Sequence, residues 1–288
     1  MISRKAPLLL YLLLASIPVF PQKVSEPSGN PDWSRDYEPF RVVGNLYYVG
    51  TYDLACYLIT TPEGNILINT GLAASEHSIK ANIEALGFKM SDTKILLITQ
   101  GHFDHTGAIA AIRKSTAAKL MVNEPDGKVM SDGGKSDYAF GGYVSSFVPA
   151  PPDQLLHDRD TIKLGGMNIV MLGHPGHTRG SCSYLFDVKD GSKTYKVLVA
   201  NMPTIVIDRK FPDVKEYPTI EKDYANTFKA MKDIQFDLWV ASHASQFGLH
   251  KKRKPGDAYN PSVFKDRAGY DKGLSELESE YNEKVKKD

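Results

Sequence analysis

The feature that most constrains this chain is a short apolar run, Ile95-Leu96-Leu97-Ile98, that passes directly into Thr99-Gln100-Gly101-His102-Phe103-Asp104-His105-Thr106-Gly107. Four apolar residues without polar alternation read as a strand buried on both faces. A strand of that kind needs a covering layer on each side, so the fold must be layered. The cluster at its end places three metal-competent side chains, His102, Asp104 and His105, at positions i, i+2 and i+3 of a loop between a strand and a helix. Imidazole and carboxylate donors suit zinc and similar divalent cations. A loop can splay such neighbours, so that His102 faces one metal while Asp104 and His105 face another.

Around this strand the pattern is regular. Phe40-Arg41-Val42-Val43, Leu46-Tyr47-Tyr48-Val49, Cys56-Tyr57-Leu58-Ile59-Thr60 and Ile66-Leu67-Ile68 are short, rich in β-branched and aromatic residues, and separated by turn residues. Ile79, Ile83 and Leu86 then recur at helical spacing behind Ser75, and Gly87 stops that helix. A second round begins near Leu155, with strands at Ile169-Val170-Met171-Leu172, Ser183-Tyr184-Leu185-Phe186, Tyr195-Lys196-Val197-Leu198-Val199 and Leu238-Trp239-Val240. A helix over Tyr224 to Met231 separates the last two. Leu274, Leu277, Tyr281 and Val285 form an apolar stripe that docks a final charged helix. Two rounds of strands and helices imply an α/β fold of two face-to-face β-sheets with helices outside.

Two further loops repeat the theme of histidine at a strand end. One is Leu172-Gly173-His174-Pro175-Gly176-His177-Thr178-Arg179-Gly180-Ser181, where the flanking glycines favour His177 as ligand and His174 as a structural residue. The other is Ala241-Ser242-His243-Ala244, after Leu238-Trp239-Val240. His77, His157 and His250 lie in helical or polar surroundings and carry no such signal.

Composition narrows the function classes. Lys plus Arg number 35 against 34 acidic residues, which gives no electrostatic case for nucleic acid. Two cysteines, Cys56 and Cys182, allow neither a disulfide framework nor a cysteine-rich zinc site, and two unpaired thiols are expected. At the N-terminus, Arg4 and Lys5 precede the apolar stretch Leu8 to Ala15, too short for a membrane span. Residues 1–22 therefore read as a secretory signal, and Ser25 to Ser34 as a polar linker. The remaining 23–288 form one expected domain with halves at about 37–153 and 154–288. Lys251-Lys252-Arg253-Lys254 reads as solvated loop. The mature chain is expected in the periplasm as a monomer, with no stable membrane association.

The frame Gln-Xaa-His-Xaa-Asp-His at Gln100 to His105, then Gly176-His177-Thr178-Arg179-Gly180-Ser181, then Ser242-His243, resembles the metallo-β-lactamase superfamily. Members usually carry His where Gln100 stands. Gln at that position, with the stretches Leu46 to Ala55, Gly133 to Tyr138 and Ala241 to Phe247, is similar to the GOB-type enzymes of the third subclass of class B β-lactamases. The resemblance implies the αβ/βα sandwich and two zinc ions per chain, or one. It implies that Gln100, His102 and His177 hold one metal and that Asp104, His105 and His243 hold the other, the latter expected to be the tighter. It implies hydrolysis of the β-lactam amide, carbapenems included, by a metal-activated water that Asp104 orients. For the substrate carboxylate, Thr204 and Lys135 are the candidates.

Two departures stand out. Gln100 offers a neutral amide, and Met202 stands where this subclass typically places a serine that supports the water of the second site. The segment Val199-Ala200-Asn201-Met202-Pro203 has no carboxylate before Asp208, whereas glyoxalase-like thiolesterases and lactonases of the superfamily bridge their metals with an aspartate there. The alternatives are one of those hydrolases, or a non-catalytic periplasmic metal-binding protein. Three protein ligands per metal leave coordination positions open, which favours catalysis. No Ser-Xaa-Xaa-Lys or Gly-Xaa-Ser-Xaa-Gly motif supports serine chemistry.

Overall fold

A computed structural model describes residues 24–27 and 29–288. The expected signal segment lies outside the described residues. In chain order the elements are β1 (Phe40–Val43), β2 (Leu46–Tyr48), β3 (Tyr57–Thr61), β4 (Gly64–Ile68), α1 (Ser75–Ala85), β5 (Thr93–Leu97), α2 (Phe103–Thr106), α3 (Ile109–Thr116), β6 (Lys119–Asn123), α4 (Gly127–Asp132) and β7 (Gln154–Leu156). There follow β8 (Thr161–Leu164), β9 (Met167–Gly173), β10 (Cys182–Asp190), β11 (Lys193–Ala200), α5 (Ile220–Lys232), β12 (Leu238–Ala241), α6 (Leu249–Lys252) and α7 (Arg267–Lys287).

The strands form two sheets, one in sequence order from β1 to β7 and one ordered β12-β11-β10-β9-β8. Strands β1 to β4 pair antiparallel, and β4 through β7 are parallel. The second sheet is antiparallel except for β11 with β12. Because β7 pairs with β6, the chain crosses between sheets after Leu156, slightly later than the sequence division at 153.

Side-chain alternation explains the layers. Tyr57, Ile59, Ile66, Ile68, Ile95 and Leu97 enter the core shared with Ile169, Met171, Tyr184, Phe186, Val197 and Val199 of the second sheet. Their neighbours Leu58, Leu67 and Leu96 point the other way and pack with Ile79 and Ile83 of α1 and Ile109 and Ile112 of α3. A period of two thus sends one set inward and the other under the helices. On the far side, Tyr224, Phe228 and Met231 of α5 join Tyr270, Leu274 and Tyr281 of α7 in covering the second sheet. The order is helix, sheet, sheet, helix: the expected αβ/βα sandwich.

Three local expectations change. The stretch read as a linker contributes to the fold, since the Ser25 N–H donates to the Ser145 carbonyl at 2.8 Å and Pro31–Trp33 forms a 3-10 turn. Lys251 and Lys252 belong to α6, and Lys252 is tucked inward, 2.8 Å from Asp266. Met202 is buried in the shared core, its methyl facing Gly273 of α7, so it packs rather than lining a polar shell. Cys56 and Cys182 are both free and buried, and burial pushes the Cys182 thiol up to about 12. Among the described residues no helix is long and apolar enough to cross a membrane.

Candidate metal centre

The three histidine loops leave the carboxyl ends of β5, β9 and β12, where layered α/β folds place their ligands. Hydrogen bonds tie the loops into one edge. Cys182 N donates to the Thr99 carbonyl at 2.8 Å, and the Ser242 hydroxyl donates to Thr99 Oγ1 at 2.9 Å. His243 forms a β-bridge with Leu54, which joins the third loop to the first sheet. His102 remains extended at the N-cap of α2, and the single turn Phe103–Thr106 then carries Asp104 and His105.

The structure brings Asp104, His105 and His243 together and, separately, sets His102 beside His177. Ligand atoms of Asp104, His105 and His243 lie within 4.8 Å of one another. Asp104 Oδ2 is 3.2 Å from Nε2 of His105 and 3.3 Å from Nε2 of His243. The rings of His102 and His177 stand 4.9 Å apart, and Gln100, two residues before His102, is buried. His174 stays apart from both groups, with Nδ1 2.8 Å from the Ser183 hydroxyl.

The donors suit a cation better than they suit each other. Gln100 Oε1 and Nδ1 of His105 are buried without a hydrogen-bond partner, and Nε2 of His105 meets only the Asp104 carboxylate. Buried polar atoms are ordinarily paired, because an unmade hydrogen bond there costs about 1–3 kcal/mol. Unpaired nitrogen and oxygen donors beside a carboxylate are what a divalent metal requires.

For Asp104, His105 and His177, protonation favours the same role. Burial opposes charge on Asp104, yet His105 and His243 hold its carboxyl well below the usual range. Burial lowers His105 and carries His177 down to about 3, so both keep a lone pair free. Burial would also lower His243, but hydrogen bonds to Asp104 and Asp53 hold it up to about 9.

Each of three candidate imidazoles leans on an outer partner. His243 Nδ1 is 3.1 Å from Asp53, His102 Nε2 is 3.3 Å from Asp137, and His177 Nδ1 donates to the Thr204 carbonyl at 2.8 Å. Such partners fix the ring and its tautomer and raise the basicity of the other nitrogen. A fourth acid, Asp126, accepts from Gly101 N at 2.8 Å, from the Thr178 hydroxyl at 2.7 Å and from Gly180 N at 2.8 Å. It clamps the first histidine loop to the second. Trp33 donates its indole N–H to Asp53 at 3.1 Å and sets its ring 5.7 Å from that of His243.

Sequence reasoning assigned no role to Asp53, Asp126, Asp137 or Trp33. The only available signal was that Asp53 and Asp137 fall within stretches similar to the GOB-type enzymes. Thr204 contributes its carbonyl to His177 and receives the Tyr224 hydroxyl at 2.8 Å. Lys135 is half-buried, two residues before Asp137, and pairs with no carboxylate among the described residues.

Comparison with known proteins agrees with this geometry. Residues 50–190 match the family described as the Metallo-beta-lactamase superfamily. The class B3 di-zinc metallo-beta-lactamase LRA-12 from an Alaskan soil metagenome is 63% identical with a TM-score of 0.90, over 91% of this chain and 100% of that one. The metallo-beta-lactamase GOB-18 from Elizabethkingia meningoseptica is 56% identical with a TM-score of 0.91, over 93% and 99%. Curated relatives are matched over shorter stretches. An uncharacterized protein of Aquifex aeolicus is 30% identical over 131 residues, 42% of this chain and 61% of that protein. A UPF0173 metal-dependent hydrolase of Anaeromyxobacter dehalogenans is spanned over 52% of its length.

Proposed function

Because this chain belongs to the metallo-β-lactamase superfamily, we propose that it is a zinc-dependent class B3 β-lactamase that hydrolyses the β-lactam amide, carbapenems included. The observation that carries this reading is Asp104, a buried carboxylate shared between the imidazoles of His105 and His243. In this reading Gln100, His102 and His177 hold one zinc, and Asp104, His105 and His243 hold the other. Zinc, when bound, supplies Lewis acidity and brings the pKa of water at the site toward neutrality.

The chain's own residues do the rest. Asp104 stays anionic, so it can orient a water and take its proton. Asp53, Asp137 and the Thr204 carbonyl hold the imidazoles in one tautomer, and Asp126 keeps the loops in register. Phe140, whose ring stands edge-on to His102 at 4.8 Å, provides an apolar wall beside the reacting bond. Lys135, which pairs with no carboxylate among the described residues, is proposed to meet the substrate carboxylate, with the Thr204 hydroxyl as its neighbour in that task. Residues 23–288 are proposed to act as one periplasmic, monomeric catalytic domain behind the leader 1–22.

The test is hydrolysis of a carbapenem and of a thiolester by purified protein, with and without a chelator. The expected result is β-lactam turnover that a chelator abolishes, zinc restores and a serine-directed inactivator leaves intact. Turnover by metal-free protein removes the mechanism, and faster cleavage of the thiolester reassigns the substrate.

A further inference from the structure

The His177 loop is gripped from outside by helix α5. Thr227 donates its hydroxyl to the Pro175 carbonyl at 2.7 Å. Tyr224, three residues earlier and so on the same helix face, donates its hydroxyl to the Thr204 carbonyl at 2.8 Å. Gly176 allows the close approach: its φ is 138°, and a Cβ there would stand 2.8 Å from the Tyr224 ring. Tyr138 completes the grip, its hydroxyl 3.0 Å from the carbonyls of both Gly176 and His177.

The Thr204 carbonyl is the meeting point. His177 Nδ1 reaches it at 2.8 Å, and the Thr204 hydroxyl stands 3.0 Å from the same nitrogen. A carbonyl only accepts, so Nδ1 carries the proton and the lone pair is left on Nε2. Both hydrogen-bond contacts that orient this ring therefore run through Thr204. That residue is half-buried in residues 201–208, which have no regular secondary structure. A ring anchored on such a segment is only as fixed as the segment. Tyr224 supplies the fixed point. It is fully buried on α5, with its ring centre 5.7 Å from that of Phe211, 6.3 Å from Phe228 and 6.1 Å from Tyr281.

We propose that Tyr224 is a positioning residue for His177. Its hydroxyl ties the Thr204 carbonyl to α5, and the carbonyl in turn sets the tautomer and angle of the imidazole. His102 leans directly on Asp137, and His243 on Asp53. His177 pairs with no carboxylate among the described residues and depends on this relay instead. Outer partners of that kind raise the metal affinity of the ligand they serve. For zinc, the proposal rests on Gln100, His102 and His177 being one ligand set. Asp104, His105 and His243 make no hydrogen bond to α5 among the described residues, so only one of the two sets should respond.

Tyr224→Phe removes the hydroxyl and keeps the ring. Tyr270→Phe is the comparison, because Tyr270 is equally buried in the same helical layer and donates to the Met231 carbonyl at 2.9 Å, away from the loops. The first readout needs no metal: solvent exchange of the His177 Nδ1 proton, followed by NMR in metal-free protein labelled at histidine. Exchange should be about tenfold faster in Tyr224→Phe and unchanged in Tyr270→Phe. The second is a zinc titration in which the nitrogen shifts report each imidazole separately. Zinc affinity at His177 should fall about tenfold in Tyr224→Phe, while that at His105 and His243 stays the same. If Tyr224→Phe fails to fold, Thr227→Val cuts the other tie from α5 and should speed the same exchange by about threefold or more. Unchanged exchange, an equal change in Tyr270→Phe, or equal weakening of both zinc sites would each overturn the proposal. Zinc that never reaches His177 in the unmodified chain would remove the ligand assignment instead, and the metal-free exchange would still decide the role of Tyr224.

Discussion

Asp53 and His243 are 190 residues apart in sequence, yet the carboxylate of the first lies 3.1 Å from Nδ1 of the second. The same carboxylate accepts the Trp33 indole N–H at 3.1 Å and the Ser245 N–H at 2.9 Å, so it has little freedom to turn away. With Nδ1 committed, Nε2 of His243 faces Asp104. The orientation of this ligand is set from the first sheet, by the loop between β2 and β3.

Asp53→Asn therefore tests the outer partner. Asparagine fills the same space, and its one amide oxygen keeps either the Trp33 contact or the Ser245 contact, so the fold should survive. It loses the charge that makes His243 a strong donor, and zinc affinity should fall by about 10- to 100-fold, the usual effect of such partners. Competition against a chromophoric chelator measures this. Unchanged affinity would reduce Asp53 to a structural residue.

Asp126 tests the clamp between loops. Asp126→Ala leaves the Gly101 and Gly180 N–H groups and the Thr178 hydroxyl without their acceptor, and the loss of stability should be about 2–4 kcal/mol. Gly180→Ala attacks the same contact from the other side, because a Cβ there would stand 2.5 Å from Asp126 Cγ. Both variants should shift the urea midpoint downward and lower turnover at saturating zinc. A normal midpoint in both would show the clamp to be dispensable.

His174 gives a pH dependence that does not involve metal binding. Burial lowers its pKa from the ordinary 6.5 to about 4, so the fold holds it neutral. Between those values the unfolded chain takes up the proton and the folded chain does not. Stability should thus fall as pH drops from about 6.5 to about 4, by roughly 3 kcal/mol in all, and change no further below that from this group. His174→Gln should flatten this window. Urea melts of metal-free protein at pH 4.5 and pH 7, both chains compared, decide it. Equal pH dependence in the two chains would contradict the assignment. In excess zinc His174→Gln should also retain far more turnover than Asp104→Asn.

Much of this was legible beforehand, for identifiable reasons. Strands such as β4, β5 and β9 announce themselves because their apolar runs have no other comfortable fate. β6 does not: Lys119, Leu120 and Met121 suit a helix as well, and only parallel pairing with β5 and β7 makes them a strand. The candidate ligand histidines were readable because they cluster at strand ends. The acids that orient them were not. Asp126 meets Thr178 and Gly180 across 52 and 54 residues, and such a partner is invisible until the loops are brought to one edge. The Ser25 to Ser34 stretch misled for the same reason, since Trp33 acquires its role only through Asp53 and His243.

Gln100 should make the two proposed metal sites unequal. Its amide oxygen is neutral and a weaker zinc donor than an imidazole nitrogen. The other group has an anionic Asp104 with two imidazoles, whose donor atoms already lie within 4.8 Å. Coulomb attraction therefore favours Asp104, His105 and His243, and sub-stoichiometric zinc should settle there first. Gln100 Oε1 is buried and unpaired, so the side chain is in place but weakly committed. Gln100→His puts an imidazole nitrogen there and should tighten that site by at least tenfold, about 1.4 kcal/mol. Titration of apoprotein with zinc, following occupancy and activity together, should show two separated steps in the unmodified chain and closer ones in the variant. Equal affinities in the unmodified chain, or first occupancy at Gln100, His102 and His177, would refute the argument from ligand charge.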